Sequence, residues 1–444
     1  MRVQPSSRSS SDAQSHRWTR FLADTGNTAL GLTCVGWAII FGFILSHRVF
    51  VTNDSLSNYA HVWYAADRFW SGHGIPLRMP ALGHGDAYAF PYAFVPWFTA
   101  ALLRPVFGDW IVTLWLFVGF AGLGAATWWA FPELRSGWWM AILLAEPMLV
   151  EAPVLGQLPF LWASAMLFAA VACWRRGLRA QAAVVFGIAQ ATHPAVMLPI
   201  AGVLVVARLY REPHRRALLA AYACSLAIAA PAAWIVLVSP AVEDASTRTL
   251  VGNLAGTVIL RAIVVAAPFI ALVVIRTPLG RLPALIFAAV VALNFVLVPV
   301  RHNGFAWHGL TRDPDTSLAG FLDSDAFVPG ATYRLQRASD GKYGMYQMLQ
   351  RGARLDSEMF PESLLRRSWP DAASYAALLD RRRVDYVIIE DAYDALYRTN
   401  EHHLLDELTT SSSTTPGGTQ VAATRIVHDG RYDVYEIQYS GGRH

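Results

Sequence analysis

Several side chains in this sequence stand where their type and spacing could do chemistry. The first is a carboxylate. In "VTNDSLSNYAHVWYAADRFWSG", Asp54 follows an apolar run that closes near Phe50 and heads an aromatic-rich helical pattern. Two readings fit it. Asp is a favoured helix N-cap, because its oxygens accept from first-turn N–H groups that have no intrahelical partner. A carboxylate at a membrane face could equally take the proton of a substrate hydroxyl. The second is Arg261, well inside the apolar run "NLAGTVILRAIVVAAPFIALVVI". An Arg there costs at least about 2.5 kcal/mol, so it either snorkels to the interface or serves a function. Its planar guanidinium is the side chain that pairs with phosphate.

Weaker candidates lie at the ends of apolar runs. Gln157 sits in "LGQLPF" and His193 in "ATHPAV", while Glu146 and Glu151 fall in or beside a span in "LLAEPMLVEAPV". The loop "GHGIPLRMPALGHGDAYAFPYAFVPW" holds His73, His84 and Asp86. These types can bind a divalent ion, but the spacing is not that of a known metal motif, so no metal or other cofactor is expected. The sequence lacks G-x-x-x-x-G-K-[ST], H-E-x-x-H and G-x-S-x-G. That argues against soluble nucleotide, zinc-protease and serine-hydrolase chemistry.

The elements that position these groups follow from composition. The chain has 444 residues, 54% hydrophobic and 15% charged, against about 25% charged in soluble domains. Apolar runs of about 20 residues, the length that spans a bilayer, recur through the first 300. The expected fold is mainly α: a polytopic membrane bundle of about ten spans with a small extracytoplasmic α/β domain at the C-terminus. Residues 1–26 read as a disordered cytoplasmic arm, 27–302 as the membrane domain with an outer loop at 50–90, and 303–444 as the tail domain. From Asn303 on there are 20 acidic and 15 basic residues, so the net charge of +4 conceals a basic membrane part and an acidic tail. No Arg/aromatic patch of the nucleic-acid kind is present. Cys34, Cys173 and Cys224 lie in apolar runs and are expected to stay unpaired.

Basic loops "RRGLR", "REPHRR" and "RTPLGR" alternate with "GQLP", "THP" and "SPAVEDAST". The positive-inside rule makes the first set cytoplasmic and the second external, and it carries the tail outside. Arg248 and Arg301 then fall at outer span ends. In the first half the parity does not close, and one of the segments 91–107 and 109–131 is expected to be re-entrant. Leu56, Tyr59, Trp63, Ala66 and Trp70 recur at helical spacing opposite Asn58, His61, Asp67 and Arg68. That describes an amphipathic helix lying in the interface. In the tail, "SWPDAASYAALLDRRR" reads as a helix with Asp371 at its start, and "VDYVIIE" as a buried strand. "VAATRIVHDGRYDVYEIQ" reads as a hairpin turning at Asp429-Gly430, and "TTSSSTTPGG" as a flexible loop.

The order of these features resembles the GT-C glycosyltransferases, multi-span enzymes that use polyprenyl-phosphate sugar donors on the outer leaflet. The matching pieces are Asp54 after the first span, the helix behind it, "FPYAFVPW", "LGQLPF" and "AAVVFGIAQATHPAVMLPIAGVLVVAR". The "GQ" and "HP" pieces are similar to the bacterial polyprenol-phosphate-mannose-dependent branch, where a Lys-Pro usually stands at the second position. His193-Pro194 replaces it here. The resemblance implies a bacterial inner-membrane glycosyltransferase, hexosyl or pentosyl, that builds cell-envelope glycan by inverting transfer to a glycan, glycolipid or protein acceptor. It implies Asp54 as the catalytic base; Arg261, Gln157, His193, His61, Asp86, Arg248 and Arg301, by their types and places, are the expected substrate-binding residues. The alternatives are a non-catalytic partner of the same fold and a transporter of lipid-linked glycans.

Overall fold

A computed structural model describes residues 9–49, 55–83, 93–237, 261–262, 264–275, 316–336, 341–356 and 368–441. The membrane part comprises α1 (Ser9–Ser46), α2 (Ser55–Trp70), α3 (Phe94–Phe107), α4 (Trp110–Ala130), α5 (Gly137–Leu144), α6 (Pro147–Val154), α7 (Leu158–Arg175), α8 (Arg179–Thr192), α9 (Pro194–Leu209) and α10 (Arg215–Leu237). A further apolar helix runs Val264–Ile275. Among the described residues four helices are long and apolar enough to cross a membrane: Thr25–Ser46 of α1, α4, α7, and Arg215–Ile235 of α10. On α1, Leu32, Val35, Ile39 and Phe43 remain exposed at helical spacing, as a face turned to lipid requires.

Side-chain contacts show which helix ends lie together. Gly26 near the start of the apolar part of α1 meets Gly137 at the start of α5, where an added Cβ would come within 2.4 Å of the Gly26 carbonyl. Arg175 at the end of α7 donates to the Ala130 carbonyl at the end of α4 (2.7 Å) and pairs with Glu133. These ends form one side of the bundle. On the opposite side the Trp110 indole, at the start of α4, donates to Leu45 at the end of α1 (2.8 Å). The Asn58 amide, at the start of α2, donates to the Gly156 carbonyl between α6 and α7 (2.9 Å). Both ends of α3 also lie there. Ala93 donates to Thr192 at the end of α8, and Asp109, just past α3, is bound by Tyr346 of the tail. The short, unbroken helix α3 therefore lies along that side rather than running through. The parity that fails on sequence closes once this segment does not cross.

Other expectations change. Residues 9–26 carry on as helix in α1 rather than as part of a disordered arm; Ser9 to Thr25 contain neither Gly nor Pro, so nothing local stops the helix. Segment 138–154 is two short helices. Pro147 removes a donor and starts α6, and the Glu146 carboxylate takes the Leu149 N–H at 2.8 Å. α2 does not lie in a lipid interface with its polar side open. Asn58 and His61 are 1% and 3% exposed, because the tail covers one face of the helix and α3 the other.

The tail is a six-stranded sheet in the order β2-β1-β3-β6-β5-β4. The strands are β1 (Thr332–Gln336), β2 (Arg354–Leu355), β3 (Tyr386–Glu390), β4 (Ser413–Thr414), β5 (Gln420–His428) and β6 (Tyr432–Ser440). β1 runs parallel to β2 and β3, and the other pairs are antiparallel. The hairpin β5–β6 turns where the sequence has Asp429-Gly430, with Gly430 at φ +68°, a conformation that suits Gly. Asp371 caps the helix Ala372–Arg381 through the Ser374 N–H (2.7 Å). "TTSSSTTPGG" is not all loop, since Ser413 and Thr414 form the edge strand. Inside, Arg334 is 1% exposed and bridges Asp356 (2.9 Å) and Glu401 (2.5 Å).

The tail and the membrane part share one hydrophobic core, which includes Tyr59, Trp97, Met345 and Tyr346. Leu82, beyond α2, pairs with Leu355 of β2, and the Leu355 N–H donates to Ala81 (2.7 Å). The tail thus sits on the side of the bundle that carries α2, Gly156 and Thr192.

Candidate functional site

Beneath the tail, five segments meet. Asn58 joins three of them. Its Nδ2 donates to Gly156 (2.9 Å) and its Oδ1 accepts from the indole of Trp97 on α3 (2.8 Å). One turn along, His61 stacks on that indole, with ring centroids 4.1 Å apart and planes 15° from parallel. His61 Nδ1 lies 2.7 Å from the Ser57 carbonyl. A carbonyl only accepts, so Nδ1–H donates to it.

Gly156 turns the chain between α6 and α7 at φ +72°, where a side chain would cost about 1–2 kcal/mol. This turn sets Gln157 as the half-buried N-cap residue of α7. Phe160, three residues on, is 1% exposed. On one side the Phe160 ring carries the guanidinium of Arg261, with Cζ 5.7 Å from the centroid. It also meets His193 edge-on at 6.4 Å. His193 occupies the break between α8 and α9, with φ −144° and ψ 71°. Pro194 causes the break, since the residue before Pro is pushed out of the helical region and Pro is preorganised for a first helical turn. Arg261 lies close enough to His193 for its charge to act on the imidazole. The bond from Ala93 to Thr192 (3.2 Å) ties this break to α3.

Of the residues singled out on sequence, His193 and Arg261 thus share the ring of Phe160, and His61 is tied through Trp97 and Asn58 to the Gly156 turn that precedes Gln157. Arg261 is half-buried and lays its guanidinium over the buried ring of Phe160. Asp54, Asp86, Arg248 and Arg301 lie outside the described residues, as does His84. His73 is exposed and lies against Ser71, 2.7 Å away. Sequence reasoning missed Asn58, assigned to a solvated face, and Trp97, read only as part of an aromatic run. The available signal was a lone amide on an aromatic helix, one turn past Asp54.

A half-buried guanidinium and an imidazole beside the ring of Phe160, with a half-buried carboxamide at the start of the same helix, suit an anionic, hydroxyl-rich ligand. The cation can pair with phosphate, and the amide and imidazole can exchange hydrogen bonds with hydroxyls.

No family model matches the chain, and no curated protein matches it in sequence. Two crystal structures of ArnT from Cupriavidus metallidurans are similar in fold. The form bound to undecaprenyl phosphate aligns at 14% identity over 90% of this chain and 96% of that one, with a TM-score of 0.45. The apo form aligns at 14% identity over 91% and 97%, with a TM-score of 0.44. Overlaps this loose assign no role to a residue, and the roles below rest on the site's own chemistry.

Proposed function

We propose that the chain is a membrane glycosyltransferase that moves a sugar from a polyprenyl-phosphate donor to an envelope glycan, glycolipid or protein acceptor on the outer face of a bacterial inner membrane. The observation that carries this reading is Arg261 held with His193 against the ring of Phe160, three residues past Gln157. A cation held there suits the phosphate of a lipid-anchored donor, whose chain would lie among the apolar helices. The outer assignment is supported by the opposite side of the bundle. There Arg135 and Arg176 lie over Trp128 and Trp129, at 5.3 and 4.5 Å, the mixture of basic and aromatic residues expected at a cytoplasmic boundary.

In this mechanism Asp54 takes the proton of the acceptor hydroxyl. The acceptor oxygen attacks the anomeric carbon, the bond from that carbon to the phosphate oxygen breaks, and the configuration inverts. The electron pair leaves with the polyprenyl phosphate, whose charge Arg261 stabilises, with Arg248 and Arg301 as further candidates. No general acid is needed, because the leaving group is already a phosphate. Gln157, His193, His61 and Asp86 hold the sugar and the acceptor.

Substitution at Asp54 tests the proposal. Asn caps a helix as well as Asp does, so Asp54→Asn keeps expression and folding. If Asp54 is the base, the swap lowers sugar transfer by roughly 10²-fold or more. Transfer is measured in membranes with polyprenyl-phosphate mannose as the first donor, at matched protein level. Near-wild-type transfer by Asp54→Asn would reduce Asp54 to a cap. Absence of transfer by the wild type with each polyprenyl-phosphate hexose and pentose tried would favour a transporter or a non-catalytic partner.

A further inference from the structure

We propose that the tail sheet holds a divalent ion of the zinc class between Asp391, His428 and Asp433, with His402 as a fourth ligand. The inference is independent of the transfer reaction. Three of the residues stand at one end of three neighbouring strands. His428 lies directly opposite Asp433 in the β5–β6 register. Asp433 lies opposite Ile389 of β3, and side chains alternate along a strand, so Asp391, two residues on, shares the face of Asp433. Its backbone N–H is fixed to the Arg431 carbonyl at 3.1 Å. The helix Glu401–Thr410 packs on β5 and brings His402 over the group.

The ligand atoms of Asp391, His428 and Asp433 all lie within 4.8 Å of one another. Asp433 is central and 1% exposed. Its Oδ1 is 2.6 Å from His428 Nδ1, and its Oδ2 is 2.9 Å from His402 Nε2. Asp391 and His428 are exposed, which leaves a route from solvent. Two imidazole nitrogens with two carboxylates form the borderline donor set that suits Zn²⁺ and its neighbours. Ca²⁺ and Mg²⁺ prefer oxygen donors alone. The competing occupant is positive charge from the protein itself. Arg425 Nη1 lies 3.4 Å from Asp433 Oδ2, and its side chain is 48% exposed, so it can swing into solvent when an ion enters.

Full-length protein in detergent, stripped with a chelator, is titrated calorimetrically at pH 7.5 with zinc, magnesium and calcium chlorides. One zinc equivalent should bind, with no saturable magnesium or calcium heat. Asp391→Ala and His428→Ala together replace two exposed residues and should weaken zinc binding at least about tenfold. Arg425→Gln removes the competing charge and should tighten binding. Failure to bind zinc, or unchanged affinity in the double variant, would overturn the site. So would an Arg425→Gln variant that binds no more tightly than wild type, because the ion would then not lie at Asp433.

Discussion

Replacing Asn58 with Ala should dismantle the site from its centre. The side chain makes two buried hydrogen bonds, to the Gly156 carbonyl at 2.9 Å and from the Trp97 indole at 2.8 Å. Asn58 and Trp97 are 1% and 0% exposed, so truncation strands the indole donor away from water, while the Gly156 carbonyl keeps the Leu158 N–H (2.8 Å). A stranded buried donor costs about 1–3 kcal/mol. At roughly 2–4 °C per kcal/mol, the melting temperature in detergent should fall by roughly 2–12 °C. A second substitution isolates the cause. Trp97→Phe keeps an aromatic ring against His61 but removes the donor, so alone it should cost about 1 kcal/mol. Placed on Asn58→Ala it removes the stranded indole N–H, and the double variant should melt above the Asn58→Ala single. The thermal unfolding of the four proteins forms a cycle. A double variant less stable than Asn58→Ala by the full Trp97→Phe cost would mean that the two side chains do not interact, and the reasoning would fail. Sugar transfer should fall with stability, because Gly156 and His61 lose their common anchor and small displacements of binding groups cost rate steeply.

Three further outcomes follow from the geometry. Arg261→Gln should leave expression intact and reduce transfer by roughly 10–100-fold, the worth of a charge-assisted bond to phosphate, with Arg261→Lys recovering part; wild-type kinetics for Arg261→Gln would remove the phosphate role. Tyr346→Phe should weaken tail docking by about 1–3 kcal/mol, because Tyr346 donates to Asp109 at 2.7 Å beside Arg104, and a cycle with Asp109→Asn in the same melting assay should show coupling rather than additivity. Alkaline phosphatase fused after His444 should be active in a bacterial host, and an inactive fusion at good expression would place the tail in the cytoplasm.

What could be read from the sequence, and what could not, follows the range of the forces involved. The hairpin at Asp429-Gly430, the cap at Asp371 and the break at His193-Pro194 are local, set by a residue and its immediate neighbours. All three stand in the structure as expected. The burial of Asn58 and His61 was not legible, because it depends on α3 and the tail closing over α2 from far away in the chain. Periodicity marked those residues as a polar face and could not say that the face is roofed. That α3 does not cross was visible only as a failure of parity, since a 14-residue apolar helix has the composition of a short span and declares itself only by where its ends are tied. The buried Arg334 was invisible for the same reason. Its partners Asp356 and Glu401 lie 22 and 67 residues away.

These long-range ties give the tail a second role. α2 is held from both sides: Tyr59 and Trp63 lie 6.0 and 6.5 Å from the ring of Tyr346, while Asn58 and His61 on the same helix hold Trp97 and Gly156. A helix of 16 residues cannot shift one face without the other, because its backbone bonds make it rigid along its length. Asp54 is joined to the start of that helix, so the position of the proposed base is linked through α2 to the docking of the tail. A tail that released Tyr346 would leave Arg261 and His193 in place, since they are held by Phe160 of α7. It would free the half of the site that carries the base. Weakened docking should therefore lower the rate of transfer more than it lowers affinity for the donor, a separation that the Tyr346→Phe kinetics can show.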